Sequence, residues 1–181
     1  MSATSSKEVR RANVLAVLNQ ARAMELFAIT QYMNQHYGLD DMDYGELAAK
    51  VKLIAIDEMR HAEMFAERIK ELGGDPTTER EGTLQRGQDV RTIFPYDASL
   101  EDDTIDIYNQ FLLVCRDNGD SVSIKLFETI IEEEQAHHNY FDNVGNHIIS
   151  LGDTYLSKIA GTSASTGPST KGFLISQGGG A

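Results

Sequence analysis

Apolar side chains recur every three or four residues along most of the chain, a spacing typical of long amphipathic helices. Turn-forming residues interrupt this pattern at GLDDMD, GGDP and RDNGDS. The pattern therefore predicts four long helices and a short fifth one, at about residues 7–37, 43–72, 98–117, 121–150 and 153–160.

Two connections decide how these helices are arranged. Asp43 and Glu46 have the spacing of a capping box, which predicts that the second helix begins here, directly after a tight turn. Residues 73–96 are polar, contain glycine and are too many for a tight turn. A segment of this length can travel along a bundle, so the third helix need not run antiparallel to the second. We predict an all-α four-helix bundle made of an up-down pair, a long crossover, a second pair and a short fifth helix.

The chain after residue 161 differs in composition from the rest, since it is rich in serine, threonine and glycine. We predict one bundle domain over residues 1–161 and a Ser/Gly-rich tail over residues 162–181 that is mobile or held only by neighbouring chains. The prolines at positions 76, 95 and 168 are expected to lie outside the long helices.

The overall composition disfavours some classes of partner. The net charge of −12 over 181 residues disfavours binding to nucleic acids and anionic membranes, and it suits small cations. The single cysteine, Cys115, cannot form an internal disulfide, which fits a reducing compartment. Neither a signal peptide nor a membrane-spanning apolar stretch is evident. We therefore expect a cytoplasmic protein.

An internal repeat carries the candidate chemistry. Glu58-x-x-His61 in the second helix is matched by Glu134-x-x-His137 in the fourth, at an offset of 76 residues. A single Glu-x-x-His is common in helices, but several residue types that match at one offset are hard to obtain by chance. The same offset pairs Glu25 with Glu101, Tyr32 with Tyr108, and Phe65 with Phe141.

Helical periodicity places these residues on the apolar faces of their helices. Residues three and four positions apart share a face, so Glu58 and His61 continue the apolar stripe of the second helix. On the third helix, Glu101 shares the face of Tyr108, whereas its three aspartate neighbours do not. The residues predicted to meet in the core are Glu25, Glu58, His61, Glu101, Glu134 and His137.

Four carboxylates in one apolar core require positive charge, because an uncompensated buried carboxylate is very costly. No lysine or arginine lies near them on these stripes, so two divalent cations would balance the charge. Mixed oxygen and imidazole ligands suit iron or manganese and would also accept zinc. The hydroxyls of Tyr32 and Tyr108 are expected to bond to carboxylates, and a redox role for them is the less favoured alternative.

Three segments of the chain resemble one protein family. ELFAITQY (25–32), IDEMRHAE (56–63) and EEEQAH (132–137) are similar to the bacterioferritins, the haem-containing ferritins. The likeness covers about residues 8–160, and the Glu-Met-x-His form of the second segment is its most specific part. The resemblance implies the ferritin-like fold. Some family members carry an extra glutamate one turn before the second-helix motif, where this chain has Ile54.

The resemblance implies a role for each core residue and an activity for the whole. The implied ligands of two irons are Glu58 and Glu134 as bridges, Glu25 and Glu101 as terminal ligands, and His61 and His137 with one iron each. The implied activity is that of a ferroxidase, which oxidises Fe²⁺ with O₂ or H₂O₂. The ferric product would be stored as mineral. The implied assembly is a shell of 24 identical chains built from two-fold dimers. An electron-donor protein would then be a partner for iron release.

Met59 lies between Glu58 and His61 in sequence but faces away from the core. Such an apolar outer face predicts contact with a second subunit, and packing is then the favoured role of a methionine. The resemblance implies instead that Met59 ligates haem iron, with its two-fold mate as the second axial ligand, so that two chains share one haem. By helical position, the neighbours of Met59 are Ala48, Ala55, Ile56 and Ala66.

Two other hypotheses are kept beside this one. The first is a di-iron oxidase or peroxidase without storage, similar to rubrerythrin, although one cysteine excludes the Cys-x-x-Cys iron domain usual in that family. The second is a metal-free helical bundle that acts as an interaction module, for which Glu134→Ala would stabilise the fold by removing a buried charge. A DNA-protecting mini-ferritin is disfavoured. That group builds its metal sites between subunits, whereas both Glu-x-x-His motifs of this chain fit inside one bundle.

Overall fold

The computed structural model describes residues 6–167 and 172–176, and long helices dominate them. Helix α1 (Ser6–Asp41) packs along α2 (Gly45–Glu71), and α3 (Val90–Asp117) packs along α4 (Ser121–Leu151). The two pairs meet through contacts of α1 with α3 and of α2 with α4. The predicted four-helix bundle with a short fifth helix is confirmed. None of these helices is both long and apolar enough to cross a bilayer. Two short helices follow the bundle, α5 (Asp153–Ile159) and α6 (Phe173–Ser176).

The crossover between α2 and α3 runs along α1. The Thr77 N–H donates to the Asn19 side chain (2.7 Å), and the Gln85 N–H donates to the Gln31 side chain (2.9 Å). These contacts advance in the same direction along both segments, so the crossover returns to the end of the bundle where α2 began. Helix α3 therefore runs parallel to α2, as the length of the crossover allowed.

Helix α3 begins at Val90 rather than at residue 98 and contains Pro95, so the predicted start and the predicted place of this proline were wrong. Asp89 caps the helix by accepting a hydrogen bond from a backbone N–H of the first turn (2.9 Å). Pro95 costs about 3 kcal/mol because it lacks an N–H. Ile93 and Phe94 are 1% and 0% exposed, and burial contributes about 1.5–3 kcal/mol for each, which offsets that cost.

The start of α2 differs from the predicted capping box. Asp43 has a φ of 67°, and the N-cap residue Tyr44 makes no capping hydrogen bond through its side chain. The Glu46 N–H donates instead to the hydroxyl of Thr162 (2.8 Å), which follows α5. A Cβ on Gly45 would lie 2.0 Å from the carbonyl oxygen of Thr162, so glycine is required for this close approach. A residue distant in sequence thus caps the helix.

The described part of the C-terminal segment packs on its own bundle. Helix α6 lies against α2, and Phe173 is 6% exposed. The expectation that the tail is mobile or held only by neighbouring chains is therefore wrong for Thr162, which caps α2, and for residues 172–176. The other predicted tail residues at 168–171 and 177–181 lie outside the described part of the chain. The division of the chain after residue 161 stays a prediction.

Two apolar clusters fill the bundle. One includes Ile54, Phe94 and Phe141, and the other includes Phe65 and Phe127. Between the two clusters, carboxylate and imidazole side chains from all four long helices are buried. The apolar clusters therefore enclose a polar layer at the middle of the bundle.

Phe65→Ala is expected to destabilise the fold by about 3–5 kcal/mol, because large-to-small changes in a packed core leave a cavity. Phe65 is fully buried, and its ring centroid lies 5.7 Å from that of Tyr108 and 5.2 Å from that of Phe127. A lower Tm of the metal-free protein would report the loss. Val122→Ala is the control, since Val122 is 59% exposed, and its Tm should stay close to wild type.

Asp120 links the start of α4 to α2. Its carboxylate accepts hydrogen bonds from the Ser123 N–H (3.1 Å), the Ser123 hydroxyl (2.7 Å) and Arg68 Nη2 (2.8 Å). Burial by itself raises the pKa of Asp120, but these hydrogen bonds and the guanidinium charge outweigh burial and hold the pKa below its ordinary value. The charged carboxylate is therefore the form that the fold stabilises.

Asp120→Ala is expected to destabilise the fold by about 0.5–2 kcal/mol at neutral pH, through loss of the cap. Because the folded-state pKa is lowered, the charge-dependent part of this stabilisation is present above the unfolded pKa and is lost as pH falls through the folded pKa. The difference in Tm between Asp120→Ala and wild type should therefore become smaller below about pH 4. A difference that does not change with pH would contradict this account. Asp117→Ala, at a side chain 67% exposed, is the control.

Candidate metal centre

Six side chains from the four long helices meet in the polar layer. Helices α1 and α3 contribute one glutamate each, and α2 and α4 contribute one glutamate and one histidine each. All are at most 3% exposed. The structure thus brings together every residue of the predicted core set, which is Glu25, Glu58, His61, Glu101, Glu134 and His137.

The six side chains form two overlapping groups of potential ligand atoms. Glu58 and Glu134 belong to both groups and are called the shared carboxylates below. Glu25 and His61 complete the first group, whereas Glu101 and His137 complete the second. In each group, one ligand atom from every residue lies within 4.8 Å of the others. Two cations would therefore fit side by side with the shared carboxylates between them.

Both imidazoles direct Nδ1 at the shared carboxylates. The Nδ1 of His61 lies 2.9 Å from Glu58 Oε2 and 3.1 Å from Glu134 Oε1. The Nδ1 of His137 lies 3.0 Å from Glu134 Oε2 and 3.1 Å from Glu58 Oε1. Ile54, one turn before Glu58, is fully buried in an apolar cluster and supplies no further oxygen ligand.

The close packing of buried carboxylates and imidazoles shifts their pKa values. Burial, and then repulsion by the shared carboxylates, raises the pKa of Glu25 and of Glu101 well above the ordinary carboxyl value. Burial by itself lowers the pKa of an imidazole, but the surrounding carboxylates outweigh it and raise the pKa of His61 and of His137 well above the ordinary value. A cation that binds here therefore competes with protons.

Tyr32 and Tyr108 hold the carboxylates that are not shared. The Tyr32 hydroxyl donates to Glu101 Oε1, and the Tyr108 hydroxyl donates to Glu25 Oε1. Both tyrosines are fully buried. The predicted tyrosine–carboxylate hydrogen bonds are confirmed. Each tyrosine donates to the glutamate of the other half of the repeat. These bonds favour one orientation of each carboxylate.

Sequence reasoning missed the carboxylates that lie behind the two histidines. Nε2 of His61 lies 2.7 Å from Glu133 Oε2, and Nε2 of His137 lies 3.6 Å from Asp57 Oδ2. Each carboxylate directly precedes a shared glutamate, and the offset of 76 relates them too. Extending the repeat by one residue would have identified them. Such partners orient a metal-binding histidine and raise its basicity.

A pocket of about 320 Å³ connects the cluster with the surface. Its lining includes the exposed Glu81 and Asp103 as well as the buried Glu58 and Glu134. Glu81 belongs to the crossover, which is held on α1 by a hydrogen bond from the Glu81 N–H to the carbonyl of Ala23 (3.1 Å). The acidic lining offers a path to a small cation from the surface inward.

Met59 lies outside the cluster and is 54% exposed. It lines a shallow groove together with Leu26 and Ala66. Ala48 and Ala55, which were expected on the same outer face, are buried in an apolar cluster because other elements of this chain cover that part of α2. The outer apolar face is therefore shorter than predicted, and it centres on Met59.

Comparison with known proteins agrees with this geometry. The family model for the ferritin-like domain matches residues 15–149. The bacterioferritin of Desulfovibrio desulfuricans is 66% identical over 169 residues, which are 93% of this chain and 94% of that protein. A bacterioferritin of Mycobacterium bovis is 34% identical over 145 residues, which are 80% of this chain and 91% of that protein.

Solved structures give the same result. The X-ray structure of D. desulfuricans bacterioferritin, described as showing the di-iron site in different catalytic states, has 65% identity and a TM-score of 0.89 and covers 94% of this chain and 99% of that one. The M. tuberculosis bacterioferritin BfrA has 34% identity and a TM-score of 0.77 and covers 81% of this chain and 93% of that one. The chain therefore belongs to the bacterioferritin family of ferritin-like proteins.

Proposed function

We propose that this chain is the subunit of an iron-storing ferroxidase, in which the buried cluster holds two irons and oxidises Fe²⁺ with O₂ or H₂O₂. The observation that carries the proposal is the pair of overlapping ligand groups that share Glu58 and Glu134. A solved bacterioferritin of 65% identity is described with a di-iron site, which supports the same chemistry here.

The donor set fits two iron ions. Four carboxylates balance two divalent cations, and their combination with imidazole nitrogen suits iron. Oε1 of Glu58 and Oε1 of Glu134 are buried without a hydrogen-bond partner among the described residues, which a bridging role would satisfy. In this proposal, Glu58 and Glu134 would hold both irons between them. The remaining ligands would be Glu25 and Glu101 as terminal carboxylates, and His61 and His137 with one iron each.

The protein supplies access, orientation and a dry environment. Glu81 and Asp103 attract Fe²⁺ at the exposed part of the pocket, and the buried carboxylates take it up further inside. The tyrosine hydroxyls hold the terminal carboxylates, and Glu133 and Asp57 orient the imidazoles. The apolar clusters on both sides limit water. The bound iron pair supplies the electrons that reduce the oxidant.

The storage function requires more than one chain. Bacterioferritins are oligomeric iron-storage proteins, and we propose a cytoplasmic homo-oligomer of 24 copies built from two-fold dimers. The net charge of −12 favours the concentration of iron cations around such an assembly. The buried, unpaired Cys115 is compatible with a reducing compartment. An electron-donor protein would reduce the stored ferric mineral and release iron.

We also propose that Met59 would ligate the iron of a haem, and that the equivalent methionine of a second copy would be the other ligand. Met59 is exposed in a groove that also has Leu26, Ile29 and Ala62 in its lining, an apolar surface that fits the face of a tetrapyrrole, and the charged Arg22 and Glu63 are also part of the lining. When bound, haem supplies a one-electron carrier between the surface and the iron store. The family membership of the chain supports this assignment.

An oxygen pulse on metal-free protein loaded with increasing Fe²⁺ would test the function. Oxidation that stops at about two irons per chain would favour a di-iron oxidase without storage. Continued uptake into soluble ferric mineral is the expected result. Oxidation no faster than in buffer would overturn the di-iron assignment and leave the metal-free interaction module.

A further inference from the structure

The two histidines of the centre are supported differently, although the repeat relates them. The side chain of Glu133, behind His61, is 36% exposed, whereas that of Asp57, behind His137, is 2% exposed. The difference arises because the C-terminal segment at residues 172–174 covers Asp57. This segment lies outside the internal repeat, so it makes the two halves of the centre unequal.

Both oxygens of Asp57 are held in place. The Leu174 N–H donates to Oδ2 (3.0 Å), the same oxygen that lies 3.6 Å from His137 Nε2. Arg60 Nη1 donates to Oδ1 (2.9 Å). One backbone hydrogen bond from the C-terminal segment therefore fixes the oxygen that faces the imidazole.

Gly172 is required for this approach. A Cβ at this position would lie 1.7 Å from Asp57 Oδ1 and 2.6 Å from Arg60 Nη1. Any side chain would have to push either the C-terminal segment or the Asp57 carboxylate away. The absence of a side chain lets the backbone reach the carboxylate.

Phe173 anchors the segment and contacts the same histidine. It is 6% exposed, and its ring centroid lies 6.0 Å from that of His137 and 5.2 Å from that of Tyr140. Lys50 Nζ lies 5.6 Å from the Phe173 ring centroid. Phe173 thus packs against the His137 ring. Asp57 Oδ2 faces His137 Nε2 at 3.6 Å, just beyond hydrogen-bonding distance, and this nitrogen has no hydrogen-bond partner among the described residues.

We propose that residues 172–174 form a clip that positions Asp57, and through it the His137 imidazole, for metal binding at the His137 position alone. The inference rests on the proposed two-metal function. Gly172, Phe173 and Asp57 are positioning residues, since none belongs to the two ligand groups. Loss of the clip weakens cation binding at one of the two positions by about 10–100-fold, the usual effect of losing a partner behind a metal-binding histidine.

Cobalt(II) titration of the metal-free, full-length protein by calorimetry and visible absorption tests the clip without measuring turnover. Wild type should bind two Co²⁺ per chain. Gly172→Ala and Phe173→Ala should each weaken one of the two binding steps and leave the other unchanged. Ile175→Ala is the matched control in the same segment, at a side chain 42% exposed, and should bind as wild type.

Histidine variants assign the weakened step. In a His137→Ala background, Gly172→Ala should have no further effect on Co²⁺ binding, whereas in a His61→Ala background it should still weaken the remaining step. Unchanged affinities in both clip variants, or equal weakening of both steps, would overturn the clip. Fewer than two Co²⁺ per wild-type chain would overturn the two-metal proposal itself, so the two failures are distinguishable.

Discussion

Glu134→Gln is expected to reduce the initial rate of Fe²⁺ oxidation by on the order of 10²-fold or more, because loss of a proposed shared ligand would misplace both metal positions. Glu134 is 1% exposed and belongs to both ligand groups. Its replacement therefore disturbs the whole centre rather than one half. Glutamine keeps the shape of the side chain and removes its charge. Stopped-flow absorbance after an oxygen pulse would measure the rate.

Glu132→Gln is the matched control, because Glu132 lies on the same helix and is exposed. It should oxidise Fe²⁺ at the wild-type rate. Co²⁺ should raise the Tm of wild type and of Glu132→Gln through preferential binding to the folded state, and this rise should be much smaller for Glu134→Gln. Fe²⁺ oxidation by Glu134→Gln at the wild-type rate would refute Glu134 as a shared ligand. No Co²⁺-dependent rise in Tm in any of these proteins would favour the metal-free bundle.

The stability of a Glu134→Ala variant does not by itself distinguish the metal-centre hypothesis from the metal-free one. A metal-free interaction module predicts that Glu134→Ala stabilises the fold. In the structure, however, the Glu134 carboxylate lies 3.1 Å from His61 Nδ1 and 3.0 Å from His137 Nδ1. Its removal would also take away the partner of two buried imidazoles, which is costly. The effect of metal on Tm is therefore the sharper measurement.

Met59→Leu is expected to lose haem binding almost completely while it keeps the wild-type rate of Fe²⁺ oxidation. Leucine has similar size and no sulfur, so the shape of the groove is kept while the proposed haem ligand is removed. Met59 is 54% exposed and points away from the buried cluster, so the ligands of the di-iron centre are left in place. Absorption spectra after titration with haem would measure the loss.

Met64→Leu controls for the loss of a thioether from the same helix, since Met64 packs against an apolar cluster and should not affect haem. A Met59→Leu protein that binds haem with an unchanged spectrum would refute the assignment and return Met59 to subunit packing. Haem loss together with slower Fe²⁺ oxidation would show that the two sites are coupled through the fold, which their separation does not predict.

Much of the candidate centre could be predicted from the sequence because its residues follow a rigid geometric rule. In a helix, residues three and four positions apart share a face, so Glu58 and His61 had to lie on the buried stripe of α2. The offset of 76 then carried the same prediction to Glu134 and His137. Each long helix places its own ligands, and the bundle brings them together.

Helical periodicity does not fix where a helix begins, and the predicted starts of α2 and α3 differ from the structure. Pro95 was expected to precede α3, yet the burial of Ile93 and Phe94 extends the helix through it. At α2, the expected cap from Asp43 is replaced by Thr162, which approaches across Gly45. A helix end depends on a few weak contacts, and here a contact with a residue distant in sequence decided it.

The sequence by itself determined the four long helices, the buried carboxylates and histidines, and the outward direction of Met59, since each depends on helical periodicity within one segment. Only the tertiary structure decided that Tyr32 and Tyr108 bond to glutamates of opposite halves, and that residues 172–174 close over Asp57. These contacts join segments far apart in the chain, where no local spacing constrains the partner. Their geometry depends on how the helices and the C-terminal segment pack in three dimensions.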